Sequence, residues 1–205
     1  MALSPRNLPP PVPWGDIGPT DWHRSRVFLL GGGSSLRGFD FERLRGRGRS
    51  VGINQSMFDV DFCECGISID QTFVQRFHDE IEAVAAIKPV YLVLGNYWWN
   101  NTRPIRGATY INDPARRGTS GFAALQHAVR KGAKDITLFG FDYVKGHYHD
   151  KYPWRHHDMA NDQSWSRWAE HFKPIPGVEI INASPRSLIQ CYKKMSISEA
   201  LALSD

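Results

Sequence analysis

Short apolar segments that stop abruptly at small or polar residues recur along this chain, and they constrain its fold more than any other feature. The first, Arg26–Leu30, ends at three glycines and two serines. The others cover residues 51–54, 65–70, 89–94, 135–139 and 178–181. Segments of this length and composition are typical of strands buried on both faces, which is the environment of a parallel sheet.

Segments with helical periodicity separate these strands. Residues 71–87 space their apolar side chains for a helix with one buried face, and residues 119–131 form a second helix that ends before Gly132. Shorter helices are predicted at 165–172 and 197–203. Strands that alternate with helices predict an α/β fold, namely a single Rossmann-like domain with a mainly parallel sheet flanked by helices.

The N-terminal 25 residues differ from the rest, because they hold six of the thirteen prolines. Proline fixes φ and has no backbone donor, so residues 1–25 are predicted to form an extended arm without regular elements. Residues 26–205 then form the Rossmann-like nucleotide-binding or nucleotide-sugar-binding domain, and a length of 205 residues fits one domain.

Composition excludes several classes of protein. Hydrophobic residues make up 41% of the chain and charged residues 22%, which argues against disorder. No apolar run approaches the roughly 18–20 residues of a membrane span, and the N-terminus lacks the apolar core of a signal peptide, so we expect a cytoplasmic protein. Three cysteines give neither a disulfide framework nor a zinc ligand set. A net charge of +4 falls short of the clustered basic charge of a nucleic-acid-binding protein.

The residues that follow each predicted strand are the first candidates for a binding site. Ligands of open α/β sheets bind outside the carboxyl ends of the strands. The residues there are mostly small, amide or acidic: Gly31, Gly32, Gly33, Ser34, Ser35, Asn54, Gln55, Asp70, Asn96, Tyr97, Asp142 and Tyr143. This concentration favours a ligand site at that edge, although ordinary turns use the same residue types.

The glycine-rich turn is the sharpest of these features. Glycines let a phosphate or ribose approach the backbone, and the helix predicted after them would add free N–H groups and a positive dipole end. No Gly-Lys-Ser/Thr follows, so the turn is not a P-loop, and Leu36 departs from the dinucleotide fingerprint. Ser120 and Gly121 open a second helix in the same way. A tight strand-to-helix turn with serine as N-cap is the plain alternative.

The loop of residues 146–158 holds half of the eight histidines. Its ring-bearing polar residues include His147, Tyr148, His149, Tyr152, His156 and His157. An imidazole titrates near neutral pH, so this loop could supply a general acid or base. Nitrogen ligands for a metal ion, a polar lid and a merely solvated loop are the alternatives.

In combination, these motifs resemble those of bacterial sialyltransferases that extend lipooligosaccharides. The segment Leu-Gly-Gly-Gly-Ser-Ser-Leu at 30–36 resembles their Gly-x-Gly-Pro-Ser-Leu turn, and Ile-Asn-Gln at 53–55 resembles a strand ending in Asn-Gln. Similar matches are Gly-Asn-Tyr at 95–97, Thr-Ser-Gly at 119–121, the Gly-x-Asp block at 136–143 and Ser-Pro-Arg-Ser-Leu at 184–188. Archaeal pterin pyrophosphokinases share the glycine-rich turn and the Gly-x-Asp block.

The resemblance implies a domain that binds a cytidine nucleotide sugar. By this resemblance, the residues around the nucleotide and donor are Gly33, Asn54, Asn96, Ser120 and Gly121. It also implies that Tyr148 and Tyr152 meet the phosphate. His157, or its neighbour His156, takes the place of the general base that deprotonates the acceptor hydroxyl.

We therefore expect a glycosyltransferase-like transferase that uses a nucleotide-activated sugar donor and requires no metal or cofactor. The resemblance implies that this donor is linked to CMP. The predicted nucleotide-binding residues are Gly31, Gly32, Gly33, Ser34, Asn54, Gln55, Asp70, Asn96, Ser120, Gly121, Asp142 and Tyr143. The predicted catalytic residues are His157, His156, Tyr148 and Tyr152. One alternative is a Mg²⁺-dependent pyrophosphokinase with the metal on Asp70 or Asp142, and another is a nucleotide-binding protein without catalysis. The acceptor and a homo-oligomeric state stay open.

Overall fold

A single sheet of parallel strands organises the molecule. The computed structural model describes residues 8–18, 20–94, 103–113, 118–151 and 162–203. Within them the strands are Val12–Pro13 (β1), Arg26–Leu30 (β2), Arg49–Ile53 (β3), Cys65–Ser68 (β4), Val90–Leu94 (β5), Thr109–Asn112 (β6), Asp135–Phe139 (β7), Glu179–Asn182 (β8) and Lys193–Lys194 (β9). Every neighbouring pair of these strands is parallel. The predicted α/β, Rossmann-like fold is confirmed.

Helices cover the sheet between the strands. They are Ser56–Asp59 (α1), Gln71–Arg76 (α2), His78–Ala85 (α3), Ser120–Arg130 (α4), Asp162–Ala169 (α5) and Ile197–Ala202 (α6). The single helix predicted over 71–87 is wrong in one respect, because Phe77 leaves helical geometry at φ −108° and ψ 36° and separates α2 from α3. Gly132 ends α4 as predicted, at φ +92°, with Ala133 N–H bonded to the carbonyl of Ala128. None of the described helices has the length and apolar character needed to cross a bilayer.

The order of the strands reverses at the centre of the sheet. The order is β1-β6-β5-β4-β3-β2-β7-β8-β9. From β2 the chain builds the sheet outward through β3, β4, β5 and β6, and from β7 it builds in the opposite direction. The carboxyl ends of β2 and β7 therefore flank the topological switch point, where open α/β sheets form a ligand crevice.

Both faces of the central strands are buried. Val27 and Leu29 of β2 pack in one apolar core with Ala124 of α4, and Phe28 and Leu30 pack in the core on the other face. This double burial explains why the strands have continuous apolar segments with no alternation of polar residues.

The N-terminal segment carries more regular structure than its prolines predicted. Val12 pairs with Ile111 of β6, and Trp14 begins a short 3-10 turn, so the expectation that no regular element lies in this segment is wrong for residues 12–16. Trp14 and Trp22 are buried in the core on the α4 side of the sheet. Pro13 is tolerated because β1 is an edge strand, where a missing N–H costs no ladder hydrogen bond.

Candidate functional site

A cavity of about 460 Å³ opens at the carboxyl ends of β2, β3, β4 and β7, beside the switch point. Its size lies in the range of small-molecule sites. Eight of the predicted nucleotide-binding residues are on its wall: Gly31, Gly32, Gly33, Asn54, Asp70, Ser120, Gly121 and Tyr143. The structure thus brings residues from five separate segments of the chain to one cavity.

The glycine-rich turn is followed by a single 3-10 turn, Ser34–Leu36, so the prediction of a helix directly after it is wrong. The carboxylate of Asp142, which is 3% exposed, stabilises this turn instead. Its Oδ2 accepts the backbone N–H of Ser35 at 2.7 Å and the hydroxyl of Ser34 at 3.2 Å, and its Oδ1 accepts the Ser35 hydroxyl at 2.5 Å. Ser34 and Asp142 are absent from the described cavity wall and act on each other.

Two of the three glycines are required by the close approach of β2 and β7. A Cβ on Gly31 would lie 2.7 Å from the carbonyl oxygen of Gly140, and one on Gly33 would lie 2.6 Å from both that oxygen and Asp142 Cγ. Gly32 differs, since its Cβ would meet only the His147 ring, at 3.2 Å. Close backbone packing is therefore a sufficient reason for Gly31 and Gly33.

The N-terminus of α4 forms another part of the cavity wall. Thr119 caps the helix, and its Oγ1 lies 2.5 Å from the buried hydroxyl of Tyr143. Burial raises the pKa of Tyr143, so this phenol stays neutral. The hydroxyl of Ser120 accepts the N–H of Ile69 at 3.1 Å, and Gly121 packs against the Phe141 ring. The first turn of an 11-residue helix thus directs its positive dipole end at the cavity.

Asn54 and Asp70 come from the ends of β3 and β4. Asn54 adopts a left-handed backbone conformation with φ +54°, which is uncommon for a residue other than glycine. Its Oδ1 is buried, and no donor among the described residues bonds to it. Asp70 is the N-cap of α2, and its Oδ1 accepts the N–H of Phe73 at 3.1 Å. Gln55, which was predicted beside Asn54, is buried away from the wall and donates to Asp59 at 3.0 Å.

His147 lines the cavity, although no sequence pattern distinguishes it from the other histidines of residues 146–158. Its Nδ1 lies 3.1 Å from the carbonyl oxygen of Gly32, which can only accept a hydrogen bond. Nδ1 therefore carries the proton of the neutral ring, and Nε2 is the basic nitrogen. The N–H of Tyr148 donates to the same carbonyl at 3.1 Å, and Arg37 donates to the carbonyl of His147 at 2.9 Å.

Tyr148 lies outside the cavity wall and is engaged with Asp59 of α1. Its hydroxyl donates to Asp59 Oδ2 at 2.8 Å, while Lys151 Nζ donates to Oδ1 at 2.7 Å. Partial burial acts to raise the pKa of Asp59, but hydrogen bonds from Lys151, Tyr148 and Gln55 together lower it. Asp59 thus holds the segment of residues 146–151 against α1. The predicted residues Asn96, Tyr152, His156 and His157 lie outside the described residues.

Two tryptophans on the wall were not predicted as site residues. Trp165 and Trp168 of α5 both line the cavity, with their rings edge to face at a centroid distance of 5.0 Å. The only signal in the sequence was their spacing of three residues on a predicted helix, which places them on one face. Core packing and ligand contact give the same spacing.

The predicted Mg²⁺ ligands of the alternative function are engaged in local structure. Both carboxylate oxygens of Asp142 accept hydrogen bonds from serines, and Asp70 caps α2. Across the part of the chain that the structure describes, no group of three or more His, Cys, Asp or Glu residues is arranged to hold a metal ion. Among the described residues on the wall, the only carboxylate is that of Asp70 and the only imidazole is that of His147.

The fold resembles solved structures of a bacterial sialyltransferase. The sialyltransferase CST-II in complex with a trisaccharide acceptor and CMP matches with a TM-score of 0.51 and 16% identity, over 80% of this chain and 83% of that one. CstII from Campylobacter jejuni in complex with a substrate analogue, cytidine-5'-monophosphate, matches with a TM-score of 0.50 and 17% identity, over 82% and 83%. No protein-family model and no curated protein matches the chain. The chain thus shares a fold with these sialyltransferases.

Proposed function

We propose that this protein is a glycosyltransferase-like transferase that binds a nucleotide-activated sugar in the cavity at the switch point. The observation that carries the proposal is the convergence of the glycine turn, Asn54 and the α4 N-terminus on that cavity. The solved neighbours support it, because they are sialyltransferases crystallised with CMP. The cavity volume of about 460 Å³ is large enough for a nucleotide sugar.

In this proposal the N-terminus of α4 meets the phosphate of the donor. Its first N–H groups have no acceptor within the helix, and the helix dipole favours negative charge at that end. The Oδ1 of Asn54, to which no described residue donates a hydrogen bond, accepts one from the nucleobase or the sugar. This hydrogen bond offsets the unfavourable free energy of burying the oxygen without a donor.

The chemical step in this proposal is the attack of an acceptor hydroxyl on the anomeric carbon of the donor. His157, or its neighbour His156, takes the hydroxyl proton as the oxygen attacks, and the bond from the anomeric carbon to the phosphate breaks. His147 is a second candidate base, because it is an imidazole on the wall with Nε2 as its basic nitrogen. The negative charge that develops on the leaving phosphate is stabilised by the α4 N-terminus.

Tyr148 and Tyr152 were predicted to assist at the phosphate. The hydroxyl of Tyr148 donates to Asp59, so it would have to exchange that hydrogen bond to reach a phosphate. We therefore assign the main stabilisation of the leaving group to α4, and Tyr152 remains a proposed partner. This scheme requires no metal ion, because the partial positive charge at the α4 N-terminus stabilises the leaving phosphate.

A thermal-shift screen tests this function. The full chain is heated with CMP, CDP, UDP, GDP or ATP, each with EDTA and with Mg²⁺. We expect one nucleotide to raise Tm in EDTA, because a ligand at a hundredfold excess over its Kd adds about 2.7 kcal/mol of stability. A shift with ATP only in the presence of Mg²⁺ would favour the pyrophosphokinase, and no shift with any nucleotide would contradict the proposal.

A variant of Asn54 links the binding to this cavity. Asn54→Gly removes the side-chain amide, and glycine adopts the φ of +54° at this position without strain. We expect its affinity for the bound nucleotide to fall about tenfold, as for the loss of one hydrogen bond of roughly 1.4 kcal/mol. Asn112→Gly, at an exposed position at the end of β6, serves as the matched control and should bind like the wild type.

A further inference from the structure

The cavity also carries side chains that are typical of carbohydrate recognition. Asp70, Trp165 and Trp168 all contribute to its wall. Carbohydrate sites combine acceptors for sugar hydroxyls with an aromatic ring that packs on the apolar face of the sugar. These three side chains supply both parts.

We propose that the donor sugar is neutral, with its hydroxyls bound by Asp70 and one face packed on Trp168, and that Asp70 selects against a sugar with a carboxylate. This inference rests on the proposed function and adds the substrate class. A sialic acid carries a carboxylate, so the inference separates the donor of this chain from that of the sialyltransferases whose fold it shares.

The geometry of Asp70 supports this role. Its Oδ1 accepts the N–H of Phe73, which fixes the carboxylate at the start of α2, and no hydrogen bond within the described residues reaches Oδ2. A carboxylate oxygen only accepts hydrogen bonds, so its partner in a ligand is a donor such as a hydroxyl. The described wall includes no lysine or arginine to form an ion pair with the carboxylate of an acidic sugar, and the α4 N-terminus is assigned to the phosphate, so the repulsion from Asp70 has no charged side chain to offset it among the described residues.

The two tryptophans provide a rigid platform. Trp165 is 7% exposed, and its ring contacts that of the more exposed Trp168 edge to face, which restrains the Trp168 ring. Trp168 is half-buried, which leaves part of its ring accessible to a ligand in the cavity. A ring held in this way contributes contact area with little loss of conformational entropy on binding.

Asp70→Asn isolates the charge of this carboxylate. Asparagine is an equally good N-cap, so the variant retains an oxygen for Phe73 N–H and should fold. Glu80→Gln is the matched control, because it removes one negative charge at an exposed position on α3. Trp168→Ala removes the platform while leaving the buried Trp165 in place.

Isothermal titration calorimetry on the full chain tests the inference with UDP, UDP-glucose, UDP-glucuronate, CMP and CMP-N-acetylneuraminate. Whichever of UDP and CMP binds, we expect its acidic sugar nucleotide to bind about tenfold more weakly than the bare nucleotide, because the sugar carboxylate and Asp70 repel each other. UDP-glucose should bind at least as tightly as UDP. Asp70→Asn should abolish the tenfold penalty, Trp168→Ala should reduce UDP-glucose to the affinity of UDP, and Glu80→Gln should change neither ratio.

The outcomes separate this inference from the function on which it rests. If UDP or CMP binds but the acidic sugar nucleotide binds as tightly as the bare one, the sugar assignment is wrong and the proposed function stands. The same holds if Asp70→Asn leaves the penalty unchanged. If neither UDP nor CMP binds, the inference is overturned, and the proposed function fails with it when CDP, GDP and ATP also do not bind.

Discussion

Asp142 is the residue on which the shape of the glycine-rich turn depends. It is nearly fully buried, and its carboxylate accepts three hydrogen bonds from Ser34 and Ser35. A buried charge is tolerated only when it is hydrogen-bonded in this way. The acidic residue of the Gly-x-Asp block thus has a structural role that the sequence alone could not distinguish from contact with a ligand.

We expect Asp142→Ala to lower the free energy of unfolding by about 2–4 kcal/mol, because it leaves the Ser34 and Ser35 donors without their acceptor. Urea denaturation at pH 7 measures the change. Asp150→Ala, at an exposed position, should stay within about 0.5 kcal/mol of the wild type. A loss for Asp142→Ala as small as that of Asp150→Ala would show that the turn does not depend on the carboxylate.

His127 makes the stability of the fold depend on pH. It is completely buried beside the rings of Trp14, Trp22 and Tyr91. Burial, together with the charges of Lys131 and Arg130, lowers its pKa to about 3. Between pH 6.5 and pH 3 the unfolded chain therefore binds a proton at this position that the folded chain does not bind. The free energy of unfolding then decreases as the pH falls through that window.

From pH 7 to pH 5 this histidine should lower the free energy of unfolding by about 2 kcal/mol. His127→Phe keeps an aromatic ring in the core and should remove that part of the pH dependence. Urea titrations of both proteins at the two pH values give the comparison, with His23→Gln as an exposed control. An unchanged pH dependence in His127→Phe would mean that the imidazole is not held neutral in the fold.

At the scale of elements, the turn after β2 and the turn after β7 fit together through glycine backbones. We expect Gly33→Ala to lower the free energy of unfolding by about 3 kcal/mol or more, because its Cβ would lie 2.6 Å from the Gly140 carbonyl. Gly32→Ala should fold, since only the movable ring of His147 is near. Thermal unfolding of both variants tests the contrast, and equal losses would contradict the described packing.

The segment of residues 146–151 is fastened to α1 through Asp59, which accepts hydrogen bonds from Tyr148 and Lys151. Asp59→Ala should release this segment and speed hydrogen–deuterium exchange of the Tyr148 amide by about tenfold or more. Because the pKa of Asp59 is lowered in the fold, its carboxylate keeps these contacts at the ordinary pKa of a carboxyl group and loses them only as the pH falls through the lower pKa of the folded state. Asp150→Ala is the control in the same segment, and equal exchange in both variants would refute the contact.

For the molecule as a whole, the central strands could be predicted because double burial gives them short, continuous apolar segments. β1, β6 and β9 could not. β1 and β9 are only two residues long, and β6, which lies inside the sheet, has only two apolar residues, Tyr110 and Ile111. The break at Phe77 was missed for a related reason, because apolar periodicity does not record where a helix changes direction.

The residues of the candidate site also fall into those that could be predicted from the sequence and those that could not. Asn54, Asp70 and Ser120 were predictable because strand and helix ends meet at one edge of a parallel sheet. His147, Trp165 and Trp168 were not, since their place on the wall depends on the path of the chain after β7. The sequence does not distinguish Tyr148 from a ligand-binding residue, because its hydrogen bond to Asp59 is a contact between distant parts of the chain.

Binding of a nucleotide at the switch point between β2 and β7 underlies the proposed function. Hydrogen–deuterium exchange of the full chain, with and without the nucleotide found by the thermal-shift screen, tests this binding site. We expect slower exchange in peptides that cover residues 31–36 and 118–124, with the outer strand β9 unchanged. Slower exchange confined to peptides away from those two segments would contradict it.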